Sequence, residues 1–313
     1  MLEVKNLTIE LKAPENSFII LRDVSFSLKK GEILGIAGES GSGKTILAKS
    51  ILNLISRPVV KTAGQIVLDS APLETEKDFR AVRGSKISMI FQNPTASLNP
   101  VFTIGSQIVE TIRLHKPKTS VKEAEKEAVR LLAEVEIPYP EERLNSYPHQ
   151  LSGGMNQRVM IAMALASDPE ILIADEPTTA LDVTIQMQIV ELIKKLNRQK
   201  NLSVIFITHD LSLLSQVADE SFIMYAGEIM ERLTASQLKD GLMHHPYSRN
   251  LKNCVPQIGE RREYLNTIPG TITFNNAEFD NACVFHPRCE KAQDKCRAEK
   301  PKFENGFKCW YPY

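Results

Sequence analysis

The run Gly38-Glu39-Ser40-Gly41-Ser42-Gly43-Lys44-Thr45 has the residue types and spacing to hold phosphate. The glycines let backbone N–H groups turn inward around phosphate oxygens, and a helix starting at the end of the run adds partial positive charge. Gly38, Ser40, Gly41, Ser42 and Gly43 would then form the cradle. Lys44 is expected to reach the β and γ phosphates, and the Thr45 hydroxyl to ligate Mg²⁺. A second group of chemical interest closes the apolar run Ile171-Leu172-Ile173-Ala174, which ends in Asp175 and Glu176. Ligands of an open α/β sheet bind at the carboxyl ends of its strands. Asp175 is therefore expected to hold Mg²⁺ through its water shell, and Glu176 to serve as base or water-positioner facing the γ-phosphate.

Both groups need strands to present them. Ile33 to Ala37, Ile171 to Ala174 and Val204 to Thr208 are short apolar runs suited to strands buried on both faces. Alternating with helical patterns, they indicate the α/β class with a mostly parallel sheet. Val4 to Leu11 and Val24 to Leu28 alternate instead, as half-buried strands of an antiparallel sheet do. Ser120 and Glu123 have capping-box spacing before an apolar stripe of Val121, Ala124, Ala128, Leu131, Leu132 and Val135, a helix that Pro138 and Pro140 should end. From about Asn253 the pattern weakens around Pro256, Gly259, Pro269 and Gly270, which places a domain boundary near residue 255.

A chain of 313 residues allows about two domains. Its 38 Lys+Arg balance 38 Asp+Glu, which argues against broad electrostatic wrapping of nucleic acid and leaves room only for a local basic patch. Met1 to Lys12 lacks the apolar core of a signal peptide, and no apolar run reaches the ~18 residues of a membrane span, so a cytosolic protein is expected. Cysteine is uneven: Cys283, Cys289, Cys296 and Cys309 crowd the C-terminal end, away from Cys254. In a reducing compartment such a group suggests metal binding or catalysis before disulfides.

Leu151-Ser152-Gly153-Gly154-Met155-Asn156-Gln157-Arg158 resembles the signature sequence of the ATP-binding cassette (ABC) family. Further elements resemble that family in order: Gln92 in Phe91-Gln92-Asn93-Pro94 the Q-loop, Ala180-Leu181-Asp182 the D-loop, and His209 in Ile207-Thr208-His209-Asp210 the switch histidine. The resemblance covers roughly residues 1 to 250. It implies a P-loop NTPase core with an antiparallel β subdomain and a helical signature subdomain at about 93–165, making a cassette of residues 1–255. It also implies that Ser152, Gly153 and Gly154 serve a partner's ATP, with Asp182 belonging to the D-loop. His209 would contact the γ-phosphate, and Gln92 would sense it and touch a membrane subunit. Met155 departs from the family's usual Gln and Thr179 from its usual Ser. Phe18 is the nearest candidate for the adenine-stacking aromatic, a core role being the alternative.

Gln92 to Pro100 and Arg158 to Leu165 resemble cassettes of oligopeptide, dipeptide and nickel importers, and the form is similar to the first of their two non-identical ATPase subunits. His245-Pro246-Tyr247-Ser248, Ile268-Pro269-Gly270 and Cys283-Val284-Phe285-His286-Pro287-Arg288-Cys289 resemble the C-terminal extension of that branch, here residues 256–313. The implied protein is an ATPase powering peptide uptake. It would pair with a related ATPase subunit beneath two transmembrane permease subunits on the cytoplasmic face of the membrane, fed indirectly by an extracellular binding protein. A nickel or metallophore importer is the alternative cargo. A cassette acting on nucleic acid is the distant one, disfavoured because no long coiled coil or zinc module intervenes between Lys44 and Ser152. The cysteine spacing C-x5-C-x6-C-x12-C lacks the C-x2-C pair usual for structural zinc. A 4Fe-4S cluster on Cys283, Cys289, Cys296 and Cys309 is the expectation, with zinc and unligated buried thiols left open. His244, His245 and His286 read as packing and capping residues.

Overall fold

The computed structural model describes residues 1–12, 17–93, 97–254, 266–272 and 279–313. Residues 255 and 256, where the boundary between cassette and extension is expected, lie outside these, as do Pro94, Thr95, Ala96 and Gly259. In chain order the strands are β1 (Leu2–Lys12), β2 (Ser17–Leu28), β3 (Ile33–Ala37), β4 (Val59–Leu68), β5 (Ala71–Pro72), β6 (Ile87–Ile90), β7 (Ile171–Asp175), β8 (Ser203–Ile207), β9 (Glu220–Tyr225) and β10 (Glu228–Thr234). The helices are α1 (Lys44–Ile51), α2 (Glu76–Val82), α3 (Ile104–His115), α4 (Val121–Glu134), α5 (Pro140–Arg143), α6 (Gly153–Leu165), α7 (Val183–Lys200), α8 (Leu211–Val217), α9 (Ala235–Asp240), α10 (Pro246–Asn253) and α11 (Asp294–Ala298). They divide into two compact units. The first comprises Met1–Lys29, Ile33–Glu74 and Ile207–Tyr313, the second Lys30–Glu32 and Thr75–Phe206.

The first unit carries an antiparallel sheet in the order β2-β1-β4-β5. In β1 the buried side chains are Leu2, Val4, Leu7 and Ile9, so the inward phase slips by one residue between Val4 and Leu7. The slip is a bulge, with Asn6 in the left-handed region at φ 49° and both neighbouring ladders shifting register there. The bulge keeps an apolar residue facing the core on either side of the break. β3 is buried throughout and pairs in parallel with β9, which turns back antiparallel into β10.

The C-terminal residues of this unit are built onto the β9–β10 hairpin. Lys308 N–H donates to Met230 O at 2.8 Å and Arg232 N–H to Gly306 O at 2.7 Å. The buried Glu228 carboxylate meets the ammonium groups of Lys300 at 2.6 Å and Lys308 at 2.9 Å. Tyr225, Tyr247 and Phe285 pack edge-on or tilted against one another with centroids 4.8 to 5.2 Å apart, and Phe279 and Val284 are buried with them. So small a segment would be hard to hold folded alone; this one shares a core with the hairpin and α10.

In the second unit β7 lies between β6 and β8, and β6 pairs with β7 in parallel register, Ile87 opposite Ile171. β7 and β8 are buried throughout, as their apolar runs require. Helices α3, α4 and α6 pack on one another, and Arg158 of α6 donates to Val135 O at 2.7 Å, closing the end of α4. The capping box is formed: the Ser120 hydroxyl accepts from Glu123 N–H at 3.3 Å while the Glu123 carboxylate accepts from Ser120 N–H at 2.9 Å. The stripe behind it is buried except at Val121, the first helical residue, which the opening turn leaves exposed. Pro140 does not end α4, which stops at Glu134; it opens α5 at a position where its missing N–H costs nothing.

Ser120→Ala removes the side chain that satisfies the first turn of α4. It should lower unfolding stability by about 1 kcal/mol, read as a shift in the urea midpoint at unchanged slope. A midpoint equal to that of the parent would show that the cap contributes nothing.

Candidate functional site

β3 delivers the chain into a turn that only glycine can make. Gly38 has φ 156°, Gly41 φ 83° and Gly43 φ 104°, and Gly43 sits at the N-cap of α1. A Cβ at Gly38 would stand 2.2 Å from Met224 O, and one at Gly43 2.8 Å from the Leu21 side chain. Inside the turn the Lys44 ammonium donates to Gly38 O and Glu39 O, each at 2.8 Å, and to Ser42 Oγ at 3.3 Å. Lys44 is only 5% exposed, so the turn wraps a buried cation at a helix start, an arrangement that attracts anions. Glu39 N–H donates to the Tyr247 hydroxyl at 2.8 Å, and the Glu39 carboxylate is gripped by Arg288. In the same unit, His209 is exposed just after β8 and Asp210 caps α8. Phe18 lies on β2 and is 37% exposed, a surface aromatic instead of a core one.

The second unit holds the carboxylates. Asp175 closes β7 and is buried at 2% exposure. Glu176 follows with φ 48°, a left-handed backbone that turns its side chain away from the strand direction. Its Oε2 accepts from Gln92 Nε2 and from Thr179 Oγ1, each at 2.8 Å. Of the residues singled out in the sequence, the structure therefore brings Gln92 and Glu176 into contact. It adds Thr179, a residue notable in sequence only as a departure from the usual Ser. Ser152 is the N-cap of α6 and accepts from Met155 N–H at 3.2 Å, so Gly153 and Gly154 form the helix's first turn. Asp182 caps α7 in the same way, accepting from Ile185 N–H at 3.0 Å. The two helix starts adjoin: a Cβ on Gly153 would lie 3.5 Å from the Leu181 side chain, and one on Gly154 2.7 Å from that of Ile185.

The extension brings its four cysteines to one place. Cys283, Cys289, Cys296 and Cys309 line a void of about 10 Å³ together with His245 and Trp310, and Cys283 N–H donates to Cys296 O at 2.9 Å. None is in a disulfide. Burial first, and the neighbouring thiols after it, push Cys283 up to about 12 and Cys289 up to about 11, so both are neutral. The expected 4Fe-4S or zinc site is not a formed ligand group: among the described residues no three His, Cys, Asp or Glu side chains are placed to hold a metal ion. The desolvated thiols keep their protons, and a metal would have to displace those protons and draw the sulfurs inward. Cys254 stands apart as a free thiol. His245 caps α10 by accepting from Tyr247 N–H at 3.0 Å, and burial lowers its pKa to about 3. His244 and His286 make structural contacts, with Glu231 and with Cys283 O respectively.

Two family descriptions match this chain: ABC transporter over residues 21–179, and the C-terminal region of oligopeptide/dipeptide transporters over residues 230–296. The dipeptide transport ATP-binding protein of Escherichia coli strain K12 is 41% identical over 319 aligned positions, covering 100% of this chain and 97% of the relative. The oligopeptide transport ATP-binding protein of Bacillus subtilis strain 168 is 43% identical, covering 96% of this chain and 92% of the relative. A solved dimeric ATP-binding cassette in a post-hydrolysis state bound to ADP and Pi matches with a TM-score of 0.67 at 32% identity, over 75% of this chain and 99% of its own. The α/β fold is shared with that cassette. Among the described residues no helix is long and apolar enough to cross a membrane.

Gly38→Ala would drive a methyl group into Met224 O and force the turn open. Affinity for a fluorescent ATP analogue with Mg²⁺ should fall at least about tenfold, or ~1.4 kcal/mol, with the circular dichroism spectrum unchanged. Equal affinity in the two proteins would show that the turn tolerates the side chain.

Proposed function

The chain belongs to the ABC transporter family, as an ATP-binding subunit of the dipeptide/oligopeptide importer branch, and from that premise we propose how its residues bind and hydrolyse ATP. Lys44 and the Gly38–Gly43 backbone receive the β and γ phosphates. Thr45 and the buried Asp175 offer hard oxygen donors, the chemistry Mg²⁺ prefers, and the ion supplies neutralisation of charge on the transferring phosphoryl group. Glu176 takes the proton from the attacking water, with Gln92 and Thr179 holding its carboxylate. His209 contacts the γ-phosphate from an exposed strand end. Phe18 supplies an aromatic face for adenine. Ser152, Gly153 and Gly154, at the positive start of α6, serve the ATP of a partner ATPase subunit, and the D-loop residue Asp182 caps the adjoining helix start.

The observation that carries this reading is the Glu176 carboxylate held at 2.8 Å by both Gln92 and Thr179 at the end of a buried strand. A carboxylate fixed in orientation by two donors suits work on one particular water. The assembly proposed around it is a pair of non-identical ATPase subunits docked beneath two transmembrane permeases on the cytoplasmic face. An extracellular binding protein delivers cargo, and no nucleic acid is involved. Peptide is the proposed cargo, supported by the match to the oligopeptide/dipeptide C-terminal region and by the two relatives, each named for peptide transport. The cassette is proposed to span residues 1–255, with its helical subdomain at about 93–165, and the extension residues 256–313.

A second reading concerns the extension. Four free thiols facing one small void have the donor chemistry of a 4Fe-4S site, in a structural or redox-sensing role. Protein purified without oxygen should contain iron and absorb broadly near ~400 nm, and Cys289→Ser should lose both. Iron-free protein without that absorbance would leave the four as buried thiols.

For the main reading, Glu176→Gln in the assembled complex should keep MgATP affinity while hydrolysis at this chain's site falls by about 10² to 10⁴-fold, the usual contribution of a positioned base. Unaltered turnover would remove Glu176 from the role given to it.

A further inference from the structure

Glu39 stands at the second position of the phosphate-binding turn, where the motif itself asks for no particular side chain. Its backbone is nonetheless central. The Glu39 carbonyl accepts from the Lys44 ammonium at 2.8 Å and from Ser42 N–H at 3.1 Å. Wherever Glu39 goes, the lysine and the turn go with it.

What holds Glu39 is the extension, far along the chain. Arg288 forks onto its carboxylate, Nη1 to Oε2 at 2.8 Å and Nη2 to Oε1 at 3.0 Å, and the Arg288 side chain is only 5% exposed. The guanidinium is itself fixed from three sides. Nε donates to Pro269 O at 2.7 Å, Nη2 donates to Ile268 O at 3.0 Å, and the Tyr225 ring lies 5.6 Å beneath. A planar fork locked in this way fits a carboxylate in one orientation only. The Tyr247 hydroxyl, from the same aromatic cluster, accepts the Glu39 N–H.

The charges make the arrangement more than a brace. A carboxylate in a turn that receives a polyanion repels it, and low-dielectric surroundings strengthen the repulsion. Paired with Arg288, Glu39 is neutralised and drawn away. We propose that Arg288 is a positioning residue of the nucleotide site: it fixes Glu39 so that its carbonyl presents Lys44 to the phosphates, and it cancels the one acidic charge in the turn. The extension thereby sets the affinity of this chain for ATP. The inference rests on the reading of Gly38–Thr45 as the ATP site and adds the residue that tunes it.

The test is a mutant cycle on the full chain, read as affinity for a fluorescent ATP analogue with Mg²⁺, and on the assembled complex, read as kcat and KM for ATP. Arg288→Ala should weaken binding and raise KM about tenfold, with kcat at saturating ATP within about twofold of the parent. Glu39→Gln placed in the Arg288→Ala background removes the uncompensated charge and should recover most of the affinity. Arg288→Lys, which keeps the charge and loses the fork, should fall between. A loss of fold through the aromatic cluster would not be repaired by Glu39→Gln, so an unrescued double variant overturns the proposal. An Arg288→Ala protein with parental affinity also overturns it, as does a loss confined to kcat. Failure of the parent chain itself to bind the analogue would overturn the ATP-site reading beneath it.

Discussion

The glycine turn of the first unit is organised around one buried charge, the Lys44 ammonium. A cation taken out of water is tolerated only where oxygen atoms surround it, and here they come from the turn that precedes it, through Gly38 O, Glu39 O and Ser42 Oγ. The turn that wraps the ammonium visits positive φ at Gly38, Gly41 and Gly43, a backbone that glycine adopts without strain. The turn must also be anchored at both ends. Fully buried β3 fixes its entry and α1 its exit, so the apolar character of Ile33 to Ala37 follows from the demand on Lys44 as much as from sheet packing.

The second unit solves a different problem with the same tool, the start of a helix. Ser152 and Asp182 each cap a helix and satisfy one orphan N–H, and the glycines after Ser152 let α6 approach the side chains of Leu181 and Ile185 closely. A displacement at one helix start is therefore felt at the other. Glu176, held by Gln92 and Thr179, is likewise a side chain whose orientation is set by neighbours drawn from two separate stretches of sequence.

Much of this was legible in the residues. Buried strands declare themselves by unbroken apolar runs, and Ile33 to Ala37 coincides with β3 because nothing polar interrupts it. The Ser120 capping box was readable because its partners sit three residues apart. The glycine turn before α1 was readable for the same reason of locality. What escaped were contacts between residues distant along the chain. Glu39 and Arg288 are 249 positions apart, and each alone reads as a solvated charge. The β9–β10 hairpin hid because Glu228 and Glu231 are buried, one satisfied by lysines from far downstream and the other by the backbone N–H groups of His244 and His245. The four cysteines were expected at one place and line one void, but their spacing did not show that they form no ligand group among the described residues, because the loops between the thiols set how the sulfurs are placed.

The way the C-terminal residues are attached bears on what can be cut from this chain or transplanted out of it. Their anchors, Glu228, Met230 and Arg232, belong to β10, and they hold Lys300, Gly306 and Lys308 from the end of the chain. A graft that moved only the tail would arrive without its buried carboxylate and would strand Lys300 and Lys308. The transferable piece is hairpin and tail together, a block whose two halves each leave buried or paired charge behind when separated.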